Sequence, residues 1–172
     1  MRKYMNYFEI FGIEEKFEID IEMLHARYIE LQKKYHPDIV KDDKEKLSNA
    51  QFVANLNSGY GILKDDYLRA AYYLKLRNID ILKEEQLEIK ISHEMLCDIL
   101  NKREKLEEIK SEEIFLKFKA QEMAKRQENL LLMVKFFDNN EIEKAALYTI
   151  LLKYQDNLIH AINQKIEECL SI

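Results

Sequence analysis

DIEMLHARYIELQKKYHPD, residues 20–38, reads as one amphipathic helix and its stop. Ile21, Leu24, Tyr28, Leu31 and Tyr35 recur at three- and four-residue steps, which line one face of a helix. Asp20 is a helix-capping residue placed just before the run. Pro37 ends it, because the ring has no N–H to donate and disfavours helical geometry at the preceding residue. Past a polar loop, Ile39–Asp43, a second long helix is expected from about Lys44 to Leu63, with Ala50, Val53, Asn57, Tyr60 and Leu63 on its buried side. Residues 20–63 thus predict an antiparallel helical hairpin with His36-Pro37-Asp38 at its tip.

Working outward, Asn6 can cap a short helix from Tyr7, with Glu9 returning a hydrogen bond and Gly12 ending it in a left-handed conformation. Another short helix is expected over Tyr67–Leu76. The apolar period breaks across Asn78–Ile91, which places a boundary there and gives domains 1–78 and 79–172. Three further helices follow, at about 91–109, 112–137 and 141–170, with Asp138-Asn139-Asn140 as a turn. Their apolar stripes are Ile91, Met95, Ile99, Leu106 and Ile109; then Leu116, Ala120, Met123, Gln127, Leu130, Val134 and Phe137; then Tyr148, Leu151, Leu158, Ile162, Ile166 and Cys169. Such stripes joined by short turns predict an antiparallel three-helix bundle. Three Gly and one Pro in 172 residues leave long stretches without a breaker, so the fold class is all-α.

The net charge of −5 is uneven: residues 1–78 carry 13 basic and 13 acidic side chains, and 79–172 carry 14 and 19. Neither half has the positive excess that displaces counterions from phosphates, so nucleic acid is not the expected partner. The opening MRKYMNYFEIFG has no long apolar core, and no run reaches the roughly 20 apolar residues of a bilayer span. Neither a signal peptide nor a membrane partner is expected, and the predicted setting is reducing and cytoplasmic. Cys97 and Cys169 form no CxxC. His25, His36, His93 and His160 fall in four segments without an HxxxH. His93 and Cys97 are an i, i+4 pair, but two ligands leave a zinc shell half empty, so no metal site is expected. No glycine-rich phosphate loop and no locally supported nucleophile–base pattern is present, so neither cofactor nor enzymatic activity is expected.

His36-Pro37-Asp38 is the stretch with functional content. Proline presets the loop, Asp38 offers a carboxylate that a partner's arginine can grip at two points, and His36 adds a donor and an acceptor. Arg27, Lys33 and Lys34 make the preceding helix locally positive, a docking face for an acidic partner.

These segments resemble the J-domain proteins, and among them the HscB (Jac) co-chaperones of iron–sulfur cluster assembly. Tyr7-Phe8-Glu9-Ile10-Phe11-Gly12-Ile13 resembles the family's YFxLFGL opening, and Leu31-Gln32-Lys33-Lys34-Tyr35-His36-Pro37-Asp38 its LQxxYHPD. Leu56-Asn57-Ser58-Gly59-Tyr60-Gly61-Ile62-Leu63 is similar to INxAYxxL, Arg69-Ala70-Ala71-Tyr72-Tyr73-Leu74 to RAxYLL, and Arg103-Glu104-Lys105-Leu106-Glu107-Glu108-Ile109 to REELDEI. The resemblance implies a J domain followed by a three-helix bundle in an L shape. It implies an HscA/DnaK-type chaperone as partner, docked on His36, Pro37, Asp38, Arg27, Lys33 and Lys34, with its ATPase stimulated. It also implies an IscU-type scaffold bound at Leu96, Cys97, Leu100, Asn101, Glu104, Glu108 and Tyr154, and a monomer or weak dimer.

Cys97 stands where the family has a larger apolar residue, and Asn101 where it has an acid, which leaves open a general J-domain co-chaperone with a different client. A helical scaffold or metal-binding protein with a fortuitous HPD is the reading from another class. Leu96 and Leu100 equally fit a widened core face. Gly59 replaces the family's alanine and is expected to cost about 1 kcal/mol of helix stability.

Overall fold

The computed structural model describes residues 6–40, 42–83 and 91–170, and these contain helices and no strand. In chain order the helices are α1 (Tyr7–Phe11), α2 (Ile21–Lys34), a 3-10 turn (Pro37–Ile39), α3 (Asp43–Lys64), α4 (Asp66–Lys75), α5 (His93–Glu108), α6 (Glu112–Asp138) and α7 (Ile142–Leu170). None of the described helices is long and apolar enough to cross a membrane. The chain divides into two compact units, Met1–Leu76 and Arg77–Ile172. Residues 84–90, the second half of the expected boundary segment up to its last residue, lie outside the described residues, as does Lys41 in the expected loop.

In the first unit the helix ends fall where local chemistry puts them. The Asn6 side chain accepts from the Glu9 N–H while Glu9 accepts from the Asn6 N–H, a closed capping box. Gly12 ends α1 at φ 62°, a left-handed conformation that glycine adopts without penalty. Asp20, Asp42 and Asp65 cap α2, α3 and α4 through their carboxylates.

Phe8, Phe11, Leu24, Leu56 and Leu63 form the core, with Tyr28, Leu31, Phe52, Tyr60 and Tyr72 packed around it. Each fully buried side chain of this kind contributes about 1.5–3 kcal/mol of transfer free energy. Arg69 joins the buried set at 5% exposure. Its guanidinium donates to the carbonyls of Phe17 (2.9 Å) and Leu63 (2.7 Å) and to Asp66 (2.8 Å), and it stacks over the Phe17 ring. One cation thus ties the loop before α2 to the α3–α4 corner, and it is tolerated inside because its donors are met.

Three expected faces shift. On α2, Ile21 is exposed. On α3 the buried residues are Leu56, Gly59 and Leu63, while Ala50 and Asn57 are exposed. Asn57 is held instead by polar partners on α2, which turns the helix by about one position. Gly59 is a packing residue: a Cβ there would meet Tyr7 Cδ1 at 2.8 Å and Phe11 Cε2 at 3.2 Å.

The largest correction is on α6, where Leu116, Ala120, Met123 and Gln127 are exposed and Phe115, Phe118, Glu122, Asn129, Met133 and Phe137 are buried. The inward stripe passes through polar residues whose partners sit on other helices. Lys102 of α5 reaches Glu122 at 3.1 Å, and Arg126 bonds Asp156 of α7.

Helices α6 and α7 run antiparallel along their length, with Ala145, Ala146, Thr149, Ile150, Leu152, Gln155, Leu158 and Ile162 of α7 buried. Cys169, expected on this face, is exposed. Asn140, at φ 57°, reverses the chain between the two helices, a backbone state asparagine tolerates. Helix α5 closes the bundle through Leu106, packed among Phe115, Phe118, Leu158 and Ile162. Glu107 and Lys165 form an ion pair at 3.3 Å from α5 to α7.

Candidate docking sites

The loop at the hairpin tip is built from the end of α2. The Tyr35 N–H closes the helix on the Leu31 carbonyl at 3.0 Å, and Pro37 opens the 3-10 turn, where a missing N–H costs nothing. His36 takes the capping position. Its Nδ1 accepts the Asp38 N–H at 3.3 Å and lies 3.6 Å from the Asp38 carboxylate. The Asp38 backbone is therefore tethered while its side chain is 88% exposed. The imidazole orients the loop and the carboxylate faces outward.

The support behind the loop is a polar and aromatic seam between α2 and α3. Tyr35 packs on Phe52 with ring centroids 4.3 Å apart, and Tyr28 stacks on Tyr60 at 4.2 Å. Tyr28 donates to Asn57, and Gln32 donates to both Tyr28 and Asn57. His25 Nδ1 and the Tyr60 hydroxyl are 2.8 Å apart. Such cross-helix bonds fix the rotation of α2 against α3, and with it the direction of the loop. Gln32 and His25 were not expected to matter, and Asn57 was expected as a core residue. The available signal was an amide at a position that the apolar period assigns to the interior.

Lys33 and Lys34 lie exposed in the last turn of α2, where cations complement the negative end of the helix dipole. Lys34 Nζ sits 5.4 Å from the Tyr35 ring centroid. Arg27 is paired with Glu30 at 2.9 Å, so its charge is partly answered within the helix. The positive face is concentrated next to the loop.

In the second unit α5 presents two different sides. Met95, Ile99 and Leu106 turn inward or toward a cavity. Leu96 and Leu100 turn outward at 41% and 50% exposure, joined by exposed Asn101, Glu104 and Glu108 and half-buried Cys97. Leu96 and Leu100 are therefore not a widened core face. Tyr154 lies apart from that outer stripe: it lines the cavity between α5 and the α6–α7 pair, which measures about 370 Å³ and is walled also by Met95, Ile99, Leu151 and Gln155. Lys102 crosses the cavity edge between Asp98 and Glu122. Burial works against its charge, yet hydrogen bonds and attraction from those two carboxylates outweigh it and raise the ammonium above the ordinary lysine range. No group of three or more metal-ligating side chains occurs among the described residues.

The DnaJ domain family model matches residues 6–73. The co-chaperone protein HscB of Proteus mirabilis is 38% identical over 109 residues, an alignment covering 61% of each chain. The chain thus spans about three-fifths of that relative's length in the alignment. The HscB homolog of Aliivibrio salmonicida is 31% identical over 170 residues, covering 95% of this chain and 96% of that protein. The crystal structure of human co-chaperone protein HscB superposes with a TM-score of 0.88 at 26% identity, covering 96% of this chain and 84% of that one. A preset HPD loop on a helical hairpin, followed by a helical unit aligned end to end with those relatives, places this chain in the HscB co-chaperone family.

Proposed function

We propose that the chain is a co-chaperone of iron–sulfur cluster assembly, working in the cytoplasm, that docks on an HscA/DnaK-type chaperone, stimulates its ATP hydrolysis and brings it an IscU-type scaffold. The observation that carries this reading is Asp38: a carboxylate held outward by its tethered backbone, next to Lys33 and Lys34. A loop held in one shape by its own bonds loses little entropy on docking. An arginine of the chaperone can take both carboxylate oxygens, while the lysines steer an acidic surface toward the loop. Stimulation then follows if the J domain binds the hydrolysis-competent state of the chaperone more tightly than its resting state. The chain contributes no chemistry to the hydrolysis.

The outer stripe of α5, with Leu96, Cys97, Leu100, Asn101, Glu104 and Glu108, supplies the scaffold-binding face; Tyr154, which lines the cavity between α5 and the α6–α7 pair, stands apart from it. Two exposed leucines rimmed by carboxylates have the layout of a small interface with an apolar centre and a polar rim. Single-turnover ATP hydrolysis by an HscA-type chaperone, with and without scaffold, tests the reading. Parent protein accelerates the turnover, further so with scaffold, and Asp38→Asn removes the acceleration at unchanged helical content. An Asp38→Asn variant as active as the parent overturns the role of the loop. Retention of a different protein by the α5 face, with no scaffold bound, favours a general J-domain co-chaperone.

A further inference from the structure

On the outer flank of α5, Cys97 Sγ lies 3.7 Å from His93 Nε2. The two residues are one helical turn apart, so their side chains are stacked along one line. In a tetrahedral zinc site the metal lies about 2.3 Å from sulfur and about 2.0–2.1 Å from nitrogen, which puts the two donors about 3.6 Å apart. The observed separation is close to that bite. His93 is exposed and Cys97 is half-buried, so a hydrated ion can reach both donors. The ring nitrogen that faces the thiol is Nε2, and no other partner of His93 or Cys97 competes among the described contacts.

We propose that His93 and Cys97 form an open two-residue site for a borderline-soft divalent cation of the Zn²⁺ class. Thiolate and imidazole are the donors that such ions prefer. On binding, the neutral imidazole gives its Nε2 lone pair, the thiol proton leaves to solvent, and the sulfur becomes an anionic ligand. Since no group of three or more metal-ligating side chains forms among the described residues, water fills the remaining positions. The site is a half-shell on the exterior of α5, distinct from the loop at the hairpin tip, and it does not depend on the co-chaperone reading.

Co²⁺ titration of the reduced 172-residue chain tests it, because a thiolate–cobalt bond has its own charge-transfer absorption in the near ultraviolet. The band is expected to appear, to saturate at no more than one cobalt per chain, and to be lost when Zn²⁺ is added. Cys97→Ser abolishes it and Cys169→Ser leaves it intact. Even outer-shell partners of a metal site are worth about 10–100-fold in affinity, so loss of a ligand in His93→Ala weakens cobalt binding by at least about tenfold. Absence of the band in the parent, its survival in Cys97→Ser, or parent-like affinity in His93→Ala overturns the site. Circular dichroism on each variant separates loss of ligand from loss of fold, and a variant that unfolds is replaced by Cys97→Ala or His93→Gln at the same position.

Discussion

At Gly59 two free energies oppose each other. An alanine in the middle of α3 gains about 1 kcal/mol of helix propensity over glycine, while the methyl group would sit 2.8 Å from Tyr7 Cδ1 and 3.1 Å from its Cγ. The clash is with the root of the ring, which cannot swing away as a side-chain tip could. Tyr7 is also held from the other side, its N–H donating to the Tyr72 hydroxyl at 3.0 Å and its ring packed on Tyr72. Overpacking of a fixed neighbour costs about 1–3 kcal/mol, so Gly59→Ala is expected to destabilise the chain by about 1 kcal/mol in urea unfolding. A stabilised variant would show that α1 can yield. Propensity alone ranks this glycine as a defect, because the ring it accommodates is 52 residues away in sequence. Asp38 is the opposite case. Its exposed place at the hairpin tip was readable, since the proline that ends α2 and the loop position are both local.

Among the elements, the capped ends at Asn6 and Asp20 were legible, because a cap is a contact within three residues, whereas Asp42, Asp65 and Ser92 cap helices whose caps were not read from the sequence. Helix α6 was not. Its length and existence follow from the pattern, but the inward positions 122, 126 and 129 are Glu, Arg and Asn, and an apolar count turns the helix the wrong way. Polar groups are admitted there because α5 and α7 answer them. Lys102→Met is therefore expected to cost the fold about 1–3 kcal/mol, the penalty of a buried carboxylate left without its donor. Lys102→Met combined with Glu122→Leu recovers most of that loss, since a buried pair replaced by apolar side chains is often neutral.

The pH dependence of the same pair has a definite sign. A lysine raised in the fold adds stability that is fully present below its unfolded pKa and disappears as pH rises through the folded value. The parent should lose stability more steeply than Lys102→Met across the alkaline range. Parallel urea midpoints for the two proteins over that range would remove the ion pair from the account.

Over the whole molecule, the two surfaces belong to different compact units, Met1–Leu76 and Arg77–Ile172. Each unit has its own buried cluster, so a charge placed on the outer stripe of α5 should leave the loop at residues 36–38 undisturbed. The function proposed here then separates into two measurable parts. Leu96→Asp with Leu100→Asp puts two carboxylates into the apolar centre of the stripe, and loss of a central interface residue costs about 2 kcal/mol or more, roughly 30-fold in scaffold affinity. Stimulation of the chaperone without scaffold is unchanged in this variant, and the additional stimulation by scaffold is lost at concentrations that saturate the parent. Asp38→Asn is expected to remove both, since the proposed function routes either kind of stimulation through the loop. Scaffold-dependent stimulation that survives the two α5 substitutions would move the client site off this stripe.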